Sequence, residues 1–562
     1  MRKRYQMSNL HARILPLAAA LCLSALPMVA QAPAAQHTPA PQAPPPQPQT
    51  PAPNKTGVVP APETHITAEE AKQLFGLVDQ LLKFSSTETG LAIKSDVKRQ
   101  LTTRVAVENY LKEKFKDDED ARRMQRSEIV LKKFGLLDRD FDLKPFLLAL
   151  LTEQIEAYYD PKDKTVNLLD WIPAEEQKAA LAHELTHALQ DQRVDLDKWS
   201  DQTPPDVSKT ASEDSDHLAK DEFDTARDAV TEGQATAVMM DNLLKPMGRS
   251  LIGDPDVVDF IKDKMTGSGD SPVLARAPLL LSESLLFPYR EGLSFEQDVW
   301  MDRGKEAAFA GTLDRPPSSS WEIMNPREYE QGHVPSIPYL PDIHPLVDNT
   351  YRPYDIGQVG ELDVHILASL FGGDNAARDL TPAWDGGIYW AGQRLNATAA
   401  EQASTKSISL FYLSVWKNPA SAQSFARLYA EELGRKYSGL KLDKSAVNSA
   451  EISEGTTEQV WTTDEGPVVI TRKGKMVFVS ESFDLPVARK LAILILGSQG
   501  SGPLKNASIP DHPSVFSSAP RLSEEALLSR SLTSPMVHFM SNCGTIKSVM
   551  ESATQATHRM PN

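Results

Sequence analysis

Cysteine is almost missing: Cys22 and Cys543 are the only two in 562 residues, and the first lies inside an amino-terminal apolar run. A disulfide scaffold is therefore excluded, and a chain processed after that run has no internal pair to oxidise. Basic charge is also short. Lys and Arg total 59 against 76 Asp and Glu, a net charge of −17, so the positive footprint that nucleic-acid binding needs is missing. No internal repeat is visible, which excludes solenoids and propellers. What is present is ordinary globular composition, 41% hydrophobic and 24% charged, in a chain long enough for roughly two to four domains. The 41 prolines are too many for one compact fold and point to segregated Pro-rich tracts.

Arg2, Lys3, Arg4 and Arg13 precede an apolar run from Ile14 to Ala30, and Ala30-Gln31-Ala32 offers a small-residue cleavage site. Residues 1–32 read as a signal peptide, and the protein as exported, periplasmic or extracellular. Pro16 and Pro27 interrupt the run, which is short for a membrane span of about 20 residues. Pro33 hinders the cut, so an uncleaved amino-terminal membrane anchor is the alternative. Residues 33–64 hold eleven prolines among Ala, Gln and Thr, the composition of an extended, solvated linker. Residues 498–562 are dominated by Ser, Thr and Pro and read as a disordered tail.

Between these ends the fold class reads as α+β. Thr67-x-x-Glu70 ahead of Leu74, Phe75, Leu77, Val78, Leu81 and Leu82 is a capping box opening an amphipathic helix. Further helical patterns fit 91–115, 118–134 and 145–157. Aromatic and β-branched runs on either side of Pro161 to Lys164 predict a hairpin over 156–169. Helices are expected from Pro173 to about Gln192 and from about Asp221 to Leu244, separated by a polar stretch at 193–220. Residues 65–355 thus form a mainly helical domain with a small β element. Residues 356–497 form a smaller α+β domain, with helices at 360–371, 419–437 and 485–496, strands near Ile388 and at 408–416, and three strands between Gln459 and Ser480.

The chemistry concentrates at His183-Glu184-Leu185-Thr186-His187. On a helix, residues four apart lie about 40° from one another, so both imidazoles reach one metal ion. Leu181, Leu185, Ala188 and Leu189 form the opposite, apolar face. Chance alone yields this pattern in roughly 1–2% of such chains, so context must decide. The context is Glu232, on a helix apolar nearly all round, where an ionised carboxylate needs a cation or donors to compensate it. Zn²⁺ on His183 and His187 would supply the charge and needs a third protein ligand, with a fourth position left to water. Glu232 is that candidate, against an arginine or backbone groups as its partners. Asp228, one turn earlier, is a candidate to orient a ligand histidine.

His183 to Gln192 followed by Glu232-Gly233-Gln234-Ala235 resembles the gluzincin branch of zinc metallopeptidases, in which H-E-x-x-H is completed by a glutamate from a later helix. Phe134 to Leu137, Glu153-Gln154 with Tyr158 to Pro161, Phe287 to Gly292 and Pro316 to Tyr329 look like a bacterial family of exported gluzincin-like proteins, over roughly residues 65–395. The resemblance implies a zincin-like catalytic domain, one Zn²⁺, a peptide or protein substrate, and peptide-bond hydrolysis by metal-activated water with Glu184 as general base. It also implies that the hairpin edge receives an extended peptide. Best-known gluzincins carry their auxiliary acid one turn after the ligand glutamate, whereas here Asp228 precedes it and Thr236 holds the later position. Tyr158, Tyr159, Tyr289 and His217 are candidate donors to transition-state charge; His333, His344 and His365 lack ligand spacing and read as structural. The alternatives are an envelope binding or scaffold protein that keeps zinc for stability without turnover, and a non-metal helical envelope protein in which the motif is accidental.

Overall fold

The computed structural model describes residues 65–500 except 115–117, 156, 201, 203–208, 252–256, 260, 263–271 and 447–454. The leader, the linker, all but the first residues of the tail and both cysteines lie outside the described residues. The fold is mixed α+β, with a three-stranded and a seven-stranded sheet.

The first helix, α1 (Ala68–Thr89), starts at the expected capping box, in which Thr67 and Glu70 each accept from the other's backbone N–H. Next comes β1 (Lys98–Thr102), then α2 (Arg104–Lys114), α3 (Asp118–Phe134) and α4 (Leu143–Gln154). The strand corrects the helix expected over 91–115. It exists because Lys98 to Thr102 pair in parallel with Thr165 to Leu169, a partner more than sixty residues away that no local periodicity reports. The hairpin forms as expected from β2 (Ala157–Asp160) and β3 (Thr165–Leu169), giving the order β1-β3-β2 with β2 at the edge. Two long helices follow, α5 (Ala174–Val194) and α7 (Phe223–Leu244). The polar stretch between them is not structureless: it holds a short helix at Leu196–Ser200 and α6 (Ala211–Lys220), whose N-cap is Thr210.

Helix α8 (Leu279–Arg303) crosses α7 at glycine on glycine. A Cβ on Gly233 would sit 2.3 Å from the Gly292 carbonyl, and one on Gly292 would sit 2.1 Å from the Ala229 oxygen. Only two bare backbones approach so closely, which gives Gly233 beside Glu232 and Gly292 after Phe287-Pro-Tyr-Arg-Glu one shared physical role. Leu181, Leu185 and Leu189 of α5, Ala226 and Val230 of α7 and Leu285 and Leu293 of α8 belong to one buried core with the hairpin residues Tyr159, Val166 and Leu168.

The second sheet is antiparallel, in the order β4-β5-β6-β10-β9-β8-β7. Its members are β4 (Tyr351–Gln358), β5 (Trp384–Arg394), β6 (Ile408–Trp416), β7 (Lys441–Leu442), β8 (Thr456–Thr463), β9 (Gly466–Lys473) and β10 (Met476–Glu481), with α9 (Glu361–Leu380), α10 (Pro419–Lys436) and α11 (Leu485–Ser498) packed on it. Leu410 and Tyr412 face a core shared with α9 and α10, while Phe411 and Leu413 face α11. Both faces are covered, so β6 reads as an unbroken apolar run instead of alternating. Strand β4, not expected from the sequence, carries Pro353 at a register shift on the sheet edge, where a missing N–H costs no ladder bond. The expected division at 355 is not clean in packing. Ile129, Val130 and Phe134 of α3 are buried with the sheet, and Leu362 and Ile366 of α9 with the helical core. Among the described residues no helix is long and apolar enough to cross a membrane.

Candidate metal centre

Three elements bring the site together. Helix α5 presents His183 and His187 one turn apart, α7 presents Glu232 across from them, and β2 lies against Glu184. All four side chains are at most 1% exposed. Glu232 Oε2 lies 3.0 Å from His183 Nε2 and 3.5 Å from His187 Nε2, and the two Nε2 atoms are 3.1 Å apart. Donors bound at about 2.0–2.1 Å in tetrahedral geometry stand roughly 3.3 Å from one another, so this triangle has the edge lengths of a metal cradle.

Two further observations fit a cation. Glu232 Oε1 is a buried carboxylate oxygen without a hydrogen-bond partner. Burial alone would raise the Glu232 carboxyl, but the two imidazoles outweigh it and pull it well below the usual carboxylate range. Burial alone would lower His187, but Glu232 outweighs it and holds the ring up at about 9. A divalent cation in the triangle would compensate the same buried carboxylate. Among the described residues this is the only group of three His, Cys, Asp or Glu donors that converges within 4.8 Å.

Glu184 is not in that group. Its Oε2 accepts from the Tyr159 backbone N–H at 2.7 Å, and burial is the main cause that raises its pKa. The hairpin is tied to α5 a second time at Asp191, which accepts from the Tyr159 hydroxyl at 2.7 Å and pairs with Lys164 at 2.8 Å. Asp191 therefore sets the distance between strand and helix, a role not legible in the sequence.

Gln190 orients one of the two rings. His187 Nδ1 pairs with Gln190 Oε1 at 2.8 Å, and His183 Nδ1 has no hydrogen-bond partner. Asp228 lines a cavity of about 360 Å³ with Asp221, Glu222, Asp355, Asp363 and Pro288, where α7 and α8 meet the end of β4.

Of the candidate donors, Tyr289 is in ring contact with His183. It lies over the His183 imidazole with centroids 6.3 Å apart and planes 26° from parallel. Burial pushes the Tyr158 hydroxyl up to about 12, the Tyr159 hydroxyl is engaged with Asp191, and His217 stands 3.4 Å from Asp221. His333 pairs with Glu328, His344 with Asp214 and Asp348, and His365 with Thr381, as structural histidines do. Comparison with protein-family models, with curated proteins and with solved structures finds no match in any of the three.

Proposed function

We propose that this chain is an exported zinc-dependent peptidase in which His183, His187 and Glu232 hold one Zn²⁺ and Glu184 is the general base. The observation that carries the proposal is the placement of Glu184, a buried carboxylate pinned by the Tyr159 N–H beside the donor triangle but outside it. A stapling site has no use for such a group. Two imidazoles and a carboxylate also suit iron(II), and it is the adjacent base that favours hydrolytic zinc chemistry.

When bound, zinc supplies Lewis-acid polarisation of a carbonyl and of water. The chain's own residues do the rest. Glu184, its pKa raised by burial, accepts a proton from water and returns it to the leaving amine. The Tyr159 N–H keeps that carboxylate in one orientation while the proton moves. Since this N–H points away from β3, the outer edge of β2 faces the site, which supports an extended peptide as substrate. Export is supported by the basic, apolar and small-residue order of residues 1–32.

The second reading, a zinc-stapled binding or scaffold protein, is favoured by the burial of all three donors. Against it, three protein ligands leave a position open, whereas structural zinc sites close with four. Metal analysis of the purified chain, followed by digestion of an unbiased peptide library, separates the two: zinc with cleavage supports the peptidase, and zinc without cleavage the scaffold.

A further inference from the structure

We infer that Gln190 and Gln234 form a hydrogen-bonded relay of fixed polarity that positions the imidazole of His187, holding Nδ1 as the donor and turning the Nε2 lone pair toward Glu232 and the metal. The inference rests on the metal-site reading above and adds two positioning residues to it.

The polarity is set at the far end. Residues Ala307–Gly311 form a π-helical turn in which the Thr312 N–H donates back to the Ala307 carbonyl. The Ala308 and Phe309 carbonyls of this turn each accept from Gln234 Nε2 at 3.0 Å, and Thr312 Oγ1 accepts from it at 2.9 Å. A carbonyl cannot donate, so the nitrogen of the Gln234 amide must face this turn. Its oxygen is thereby turned toward α5, where it accepts from Gln190 Nε2 at 2.9 Å. That nitrogen also donates to the Thr231 carbonyl at 3.0 Å, a second acceptor that fixes the Gln190 amide in the same sense.

One orientation is left for the last link. Gln190 presents its oxygen to His187 Nδ1 at 2.8 Å, and an amide oxygen cannot donate, so the ring must. A neutral imidazole that carries its proton on Nδ1 ligates through Nε2, the atom that faces His183 and Glu232. Reversing either amide would set oxygen against oxygen in a buried interior, since Gln190 and Gln234 are both fully buried. The π turn has a use in this scheme. Single π turns inside helices recur at functional sites, and this one brings two carbonyls onto one amide nitrogen.

The test is zinc affinity of the full chain by chelator competition at one pH, with thermal melting of the same samples. Gln190→Met keeps length and removes the acceptor, so affinity should fall about 10–100-fold, the usual cost of losing a partner that orients a ligand. The wild-type His187 ring proton should sit on Nδ1 and exchange slowly with solvent in nitrogen-resolved NMR, and Gln190→Met should lose that protection. Gln234→Met removes the far anchor and should weaken binding by less than Gln190→Met. A packing role alone predicts no protected Nδ1 proton on His187, and that result, or wild-type affinity in Gln190→Met, would overturn the relay. If Gln190→Met does not fold, Gln234→Met decides, with unchanged affinity against the relay. Failure of the wild-type chain to bind zinc sinks the metal-site reading and the relay with it, whereas tight wild-type binding with indifferent variants sinks the relay alone.

Discussion

The backbone N–H of Tyr159 donates to Glu184 Oε2 at 2.7 Å, which joins the edge strand of the small sheet to the middle of the H-E-x-x-H helix. One bond thus links the surface on which an extended peptide could lie to the carboxylate that would move its protons. The register of this junction is held by Asp191, two turns further along α5, which takes both the Tyr159 hydroxyl and the Lys164 ammonium from the hairpin.

Glu232→Ala should lose metal about as severely as His183→Ala. Each removes one corner of a triangle whose edges are 3.0, 3.1 and 3.5 Å, and the loss should exceed the ~10–100-fold typical of an outer partner. Metal content after dialysis against a weak chelator reads the effect. Full zinc occupancy in Glu232→Ala would remove it from the ligand set.

Gly292→Ala should destabilise the protein and weaken its metal site together. The new methyl would sit 2.1 Å from the Ala229 oxygen, which is backbone and cannot swing aside, so α8 must back away from α7 one turn before Glu232. Overpacking of this kind costs about 1–3 kcal/mol, and a denaturant midpoint measures it. An unchanged midpoint would mean that the crossing is looser than described.

Acid sensitivity is expected at Glu465, where the sheet is tied to residues preceding the hairpin. Burial would raise this carboxyl, but Lys133 at 2.8 Å and Arg139 at 2.6 Å pull it from its ordinary 4.5 to about 2. A carboxylate depressed in the folded state stabilises above its unfolded value, and that stability is lost as pH falls from about 4.5 through about 2. Glu465→Gln should flatten the acid limb of a stability profile over that window. At neutral pH it should cost on the order of 3 kcal/mol, because Lys133 is left buried without its carboxylate. Parallel acid limbs for the two proteins would rule this out.

What was legible in the sequence is what sits close together along it. His183, Glu184 and His187 share one helix and declare themselves by spacing, and Glu232 was legible because a carboxylate amid Ala, Val and Met on a helix is out of place. Gln190 and Gln234 were not, because a glutamine on a helix is unremarkable until its partner across the interface is known. Gln190 does lie three residues after His187, a spacing that faces it, and that signal was available. The strand at 98–102 was hidden by its distant parallel partner, and the one at 351–358 by a proline tolerated at a sheet edge.

Glu184→Gln separates an enzyme from a zinc-stapled protein. The amide keeps the size of the carboxylate and an oxygen that can still accept from the Tyr159 N–H, and Glu184 is outside the donor triangle, so zinc and fold should persist. What disappears is proton acceptance at a group whose pKa burial has raised. General acid–base groups are worth about 10²–10⁴-fold, so hydrolysis should fall by at least that while peptide binding remains. A scaffold protein would show no change in any binding property and no hydrolysis to lose in either form. Hydrolysis at the wild-type rate in a zinc-replete Glu184→Gln preparation would place the base elsewhere, even with all three ligands correct.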